Sequence, residues 1–190
     1  MDAGIAGILG AIAGAAGATA TAAIAGFYGL AQARLEVRAE HERIVRETRR
    51  GAYANLAEAL SKANDALQES EYTARACRQI DQAHRRELIE SSMEKLLEAD
   101  TPYGALSAHQ ALVSVEGPPP IRLAASNATN STAQYRLSIT KLQTALQKSE
   151  PFEGAVAAAL KNRLAAIEAA YKFETIAADE LAKITERAVA

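Results

Sequence analysis

The chain has 190 residues, and its 23 acidic and 21 basic side chains leave a net charge of only −2 at neutral pH. This balance provides no basic face that could follow a phosphate backbone, so the composition argues against nucleic acid as a partner. The single cysteine, Cys77, excludes an intrachain disulfide and agrees with a reducing compartment.

The first 33 residues are predicted to form a single transmembrane helix. Residues 3–33 contain no charged side chain, and a hydrocarbon core of about 30 Å needs only about 20 residues of helix. Residues 13–23 are all Ala, Gly or Thr, so the segment is only weakly apolar. A soluble or interfacial helix is therefore the alternative. A cleaved signal peptide is not expected, because no basic residue precedes the stretch.

Charges on either side of this segment predict its orientation. The only charged residue before it is Asp2, whereas six arginines follow it within about 20 residues. An excess of arginine marks the cytoplasmic side, so we expect the N-terminus outside and the rest of the chain at the inner face of the cytoplasmic membrane. Glutamates interleaved at helical spacing predict a charged juxtamembrane stalk over residues 34–50. The arginines are Arg34, Arg38, Arg43, Arg46, Arg49 and Arg50.

Small residues recur at every fourth position of the predicted membrane helix. The stripe includes Gly10, Gly14, Ala18, Ala22 and Gly26. Such a glycine zipper lets two helix backbones approach closely in lipid, and it predicts packing against another helix. A self-associating or pore-lining helix is one interpretation. The other is that a segment so rich in Ala and Gly produces the stripe by composition alone.

The remaining residues, 51–190, have the pattern of a helical bundle. Apolar side chains recur at spacings of three and four, and no segment alternates between apolar and polar residues as a strand would. The Pro118–Pro120 run and the Ser149–Pro151 turn separate helices, and Thr101-Pro102 marks a further helix start. Long helices joined by brief turns predict an antiparallel bundle with coiled-coil-like packing, so the expected fold class is all-α.

Large apolar side chains at heptad-like spacing are predicted to form the seam of this bundle. The clearest part lies in residues 121–146, where the spacing alternates between four and three. The seam residues are Tyr53, Leu56, Leu60, Leu67, Ile121, Tyr135, Ile139, Leu142, Leu146, Leu164, Ile167 and Tyr171. We expect all of these side chains to be buried against one another.

No motif for chemistry is present in the sequence. His41-Glu42 opens like a zinc-protease motif, but Val45 occupies the position of the second histidine. His84 and His109 lie in other segments. We therefore assign no catalytic, cofactor-binding or metal-binding residue, we identify no small-molecule substrate, and we predict no enzyme activity.

In the order of its segments the chain resembles membrane-anchored helical proteins that are common in high-GC bacteria. The matching pieces are the Ala/Gly-rich anchor, the Arg/Glu stalk, the sequence Arg50-Gly51-Ala52-Tyr53, and Val113–Pro118 before an Ala-rich helix. The resemblance covers most of the chain. It implies an anchored bundle, and it implies no activity and no site residues.

These observations favour a scaffold, adaptor or accessory subunit that acts by protein–protein interaction at the inner membrane face. The expected partners are the lipid bilayer and either further copies of the chain or a larger membrane complex. One alternative is an oligomerising, membrane-active protein that forms pores or disrupts the bilayer. The other is a soluble, self-assembling coiled-coil or filament protein.

Overall fold

A computed structural model of the chain describes the backbone of residues 2–77 and 82–189, and the side chains of residue 29 and of residues 32–77 and 84–183. Within this part all regular structure is helical and no strand is present, which confirms the all-α prediction. The helices are α1 (Asp2–Ala76), α2 (Gln82–Glu98), α3 (Asp100–Glu116), α4 (Pro119–Gln147) and α5 (Glu153–Val189).

The chain divides into two compact units, Met1–Val45 and Arg46–Ala190. The first unit contains the amino-terminal part of α1, and most of its described side chains are exposed. Its ion pair between Glu40 and Arg43 (2.7 Å) joins neighbours on one helix, as the Arg/Glu pattern of the stalk suggests. The sequence places the start of the bundle at Gly51, but α1 passes through that residue without a break.

The predicted membrane segment lies almost entirely outside the described side chains. Among the side chains that are described, no helix is both long enough and apolar enough to cross a membrane. Residues 1–28, 30 and 31 of the predicted span are outside that set, and they include the whole glycine zipper. The transmembrane helix and its zipper therefore stay predictions.

An antiparallel bundle of four arms makes up the second unit. The first arm is the part of α1 from Arg46 onward, and the second consists of α2 followed by α3. Helix α4 forms the third arm and helix α5 the fourth. Ser70 of α1 bonds to Ser92 of α2, and Glu69 pairs with Lys95, so residue numbers rise on one arm as they fall on the next. The same reversal joins the later arms: Ser92 and Asp100 bond to Gln143 and Arg136 of α4, and on α5 Ala159 lies in one core cluster with Leu146 and Ala166 in another with Tyr135. With its short connections, this is an up-down-up-down bundle.

A proline separates α2 from α3 within one arm. Pro102 has no N–H to donate to the carbonyl of Glu98, and its ring crowds that oxygen. The arm is interrupted at Ala99, although the Ala99 N–H still donates to Lys95 (3.1 Å) and its carbonyl still accepts from Tyr103 (3.0 Å). The proline marks this boundary as the sequence suggests, but α3 begins two residues before it.

The core combines a few large side chains with many alanines. Tyr53 and Phe173 meet edge to face with ring centroids 6.5 Å apart, and small residues such as Ala63 and Ala128 let the helices approach around them. Nine of the predicted seam residues are buried: Tyr53, Leu56, Leu60, Leu67, Ile121, Tyr135, Ile139, Leu142 and Leu146. The seam on α1 and α4 therefore lies where the spacing places it.

Candidate functional site: an apolar face of the last helix

Helix α5 has two apolar stripes, and only one of them faces the bundle. The inner stripe consists of Ala159, Ala166, Ala170, Phe173 and Ala177, all buried. The outer stripe consists of Leu160, Leu164, Ile167 and Tyr171, separated by 4, 3 and 4 residues. The stripes are offset by about one residue, or roughly 100° around the helix. One set of neighbours therefore cannot cover both.

Most of the outer stripe is exposed. Leu164 is 64% exposed, Ile167 46% and Tyr171 70%, while Leu160 is half-buried. The prediction that Leu164, Ile167 and Tyr171 line the inner seam is therefore wrong. Its physical reason is that alanines permit the closest approach of α5 to its neighbours, and Phe173 alone fills the space opposite Tyr53.

This arrangement leaves the larger apolar side chains of α5 in water. Full burial of a Leu or Ile side chain is worth about 1.5–3 kcal/mol, several times what an alanine methyl provides. Single exposed apolar side chains such as Leu123 (65% exposed) are ordinary on protein surfaces. Three exposed apolar side chains that continue the half-buried Leu160 along one side of a helix are typical of an interaction surface.

Tyr72 of α1 extends this apolar face across the neighbouring helix. Its side chain is 52% exposed, and its ring lies 5.5 Å from the guanidinium carbon of Arg163. Arg163 precedes Leu164 in α5, so the tyrosine flanks the outer stripe. The cation–π contact fixes where Tyr72 lies relative to α5.

Arg163 of α5 forms an ion pair with a buried carboxylate of α1, the side chain of Glu71. Glu71 is completely buried in the bundle, with Arg163 Nη1 3.5 Å and Arg75 Nη1 3.3 Å from its oxygens. Tyr135 donates its hydroxyl to Glu71 at 2.7 Å. A buried carboxylate costs several kcal/mol unless it is compensated, and these three groups provide the compensation. Burial raises the pKa of Tyr135 well above its usual range, and the Glu71 carboxylate raises it further, so the phenol remains a donor.

A second buried polar cluster fixes the register of α1, α2 and α4. The Gln143 amide donates to Ser70 Oγ (3.1 Å), to Ser92 Oγ (2.8 Å) and to the Ser92 carbonyl (2.9 Å). Each serine hydroxyl also donates to the backbone carbonyl of the other serine. The groups satisfy one another inside the bundle, so the cluster orients helices and offers nothing to a ligand.

One open groove lies between α1 and α3, with a volume of about 470 Å³. Its charged residues, Glu58 and Lys62, pair with each other at 2.5 Å. His109 lines the groove, and its Nδ1 is buried without a hydrogen-bond partner among the described residues. No group of three or more His, Cys, Asp or Glu side chains in the described part of the chain is arranged to hold a metal ion.

The remaining predicted site residues belong either to the stalk or to the glycine zipper. Arg34, Arg38, Arg43 and Arg50 are exposed, whereas Arg46 and Arg49 are half-buried where the bundle unit begins. The zipper residues Gly10, Gly14, Ala18, Ala22 and Gly26 lie outside the described side chains.

Sequence reasoning missed the polar residues that orient α5. Glu71 continues the seam of α1, four residues after Leu67 and three before Ala74. A charged residue at an inner heptad position was the available signal. Arg163 occupies the equivalent inner position on α5, between Ala159 and the rest of the inner stripe.

Comparison with known proteins identifies no relative. No family model matches the chain, and no curated protein or solved structure is detectably similar to it.

Proposed function

We propose that the protein is a helical scaffold whose bundle presents the outer stripe of α5 to another helix. The observation that carries this proposal is that α5 buries a stripe composed mainly of alanines and leaves the larger Leu164, Ile167 and Tyr171 exposed. A rigid bundle that displays a preformed apolar line suits helix-on-helix recognition, because little conformational entropy is lost on binding.

The buried networks support the same function by fixing the stripe in place. Glu71 holds Arg163, and Arg163 is adjacent in sequence to Leu164. A surface that must match a partner side chain by side chain benefits from such a specified helix orientation.

We further propose that residues 1–33 hold this scaffold at the inner face of the cytoplasmic membrane. The support is the charge-free stretch and the arginines that follow it. Carbonate and detergent extraction of cell membranes tests the anchor, with a chain lacking residues 3–33 as the control. Full-length protein that stays in solution without detergent would contradict the anchor.

The scaffold itself is tested by co-purification from mildly solubilised membranes. The variants are Leu164→Asp on the outer stripe and Leu123→Asp on α4, two leucines of nearly equal exposure (64% and 65%). We expect Leu164→Asp to lose a stoichiometric protein partner that the wild type and Leu123→Asp retain. Equal recovery of partners from all three chains would contradict the proposal.

A further inference from the structure

We infer that the outer stripe binds a second copy of this chain, with the two α5 helices antiparallel. The inference rests on the proposed function, because it names the partner of the same surface. Its basis is that the outer stripes of two chains are complementary to each other, both in the spacing of their apolar residues and in the charges beside them.

Heptad spacing makes the stripe complementary to itself. Its residues occupy d, a, d and a positions of a heptad, the set that interlocks when two helices cross at a shallow angle. In an antiparallel pair Leu164 meets Ile167 of the second copy, and Leu160 meets Tyr171. A two-fold axis makes each contact twice, as an isologous interface requires.

The charges beside the stripe favour the antiparallel direction. Lys161 and Glu168 are both exposed, and both hold e positions on the same edge of the stripe. Antiparallel helices bring e positions together, so Lys161 of each copy faces Glu168 of the other. In a parallel pair the residue that faces Glu168 would instead be Arg163, but Arg163 already forms an ion pair with the buried Glu71 inside the bundle.

Sedimentation velocity of the full-length chain in detergent micelles measures the pairing. We expect a reversible dimer, with Leu164→Asp raising the dissociation constant about 100-fold or more and Leu123→Asp leaving it unchanged. Lys161→Glu and Glu168→Lys should each weaken the dimer about fivefold or more, and the double exchange should restore it. Single variants without effect, or a double variant weaker than either, would overturn the inference.

Disulfide cross-linking tests the direction, using a Cys77→Ala background. We expect a mixture of Leu164→Cys and Ile167→Cys chains to form the mixed disulfide in preference to either like pair. A preference for like pairs would overturn the antiparallel arrangement.

The outcome also separates this inference from the scaffold proposal. A monomeric wild type whose Leu164→Asp variant still loses a different protein on co-purification overturns self-pairing and leaves the scaffold intact. A monomeric wild type with no partner to lose overturns both.

Discussion

Removing the Tyr135 hydroxyl is expected to destabilise the bundle by leaving the buried Glu71 short of a donor. Tyr135 and Glu71 are both fully buried, and their hydrogen bond is 2.7 Å long. A hydrogen bond to a charged group contributes about 1.5–3 kcal/mol, so Tyr135→Phe should lower the free energy of unfolding by about that amount. The ring stays in place, so no cavity adds to the loss.

A double-mutant cycle isolates this bond. In a Glu71→Leu background the Tyr135 hydroxyl has lost its acceptor, and Tyr135→Phe should then cost less than about 0.5 kcal/mol. Urea unfolding of the full-length chain, followed by far-UV circular dichroism, measures all four proteins. Tyr171→Phe, whose ring is 70% exposed, is the matched control and should change stability by less than about 0.5 kcal/mol. An equal cost of Tyr135→Phe in both backgrounds would refute the network.

Three further predictions follow from the buried polar groups and the glycines. Because the pKa of Tyr135 is raised in the folded chain, the unfolded chain loses this phenolic proton first as the pH rises above about 10. The free energy of unfolding should therefore fall above that pH, and it should fall less steeply in Tyr135→Phe. Identical slopes of unfolding free energy against pH in the two proteins would contradict this. Gln143→Leu removes the amide whose two N–H groups lie within hydrogen-bond distance of three buried oxygens, and it should cost about 1–3 kcal/mol in urea unfolding. Wild-type stability would show that the cluster does not hold the register. Gly117→Ala should destabilise the bundle by about 1–3 kcal/mol, because the new Cβ would lie 2.7 Å from the carbonyl oxygen of Val113. Gly51→Ala, on an open helical surface, should stabilise it by about 0.5–1 kcal/mol. Melting temperatures that shift in the same direction for both variants would contradict the packing at Gly117.

Spacing alone locates the core of α1 and α4 but cannot choose between the faces of α5. On α4 most large apolar residues from Ile121 to Leu146 follow one buried stripe, and only Leu123 and Leu137 lie outside it, so size and position largely agree. On α5 both stripes have heptad spacing, and size favours the one that is exposed. Which face is buried depends on contacts between helices that are far apart in the sequence, such as Phe173 with Tyr53 and Arg163 with Glu71, and a single sequence does not contain such pairings.

The polar core was difficult to predict for a related reason. Isolated Glu, Gln and Ser residues in helices usually face solvent, and although the heptad position of Glu71 points inward, the sequence does not identify the partners that would make its burial possible. Burial becomes favourable only when a tyrosine and two arginines from the assembled bundle surround the carboxylate.

Site-specific photo-crosslinking in cells tests the role of the outer stripe most directly. A benzophenone amino acid would replace Tyr171 on the stripe (70% exposed) or, as the control, Leu123 on α4, which is nearly as exposed (65%). We predict a discrete protein adduct from position 171 and none from position 123. Position 171 without a protein adduct, or the same adducts from both positions, would contradict the account.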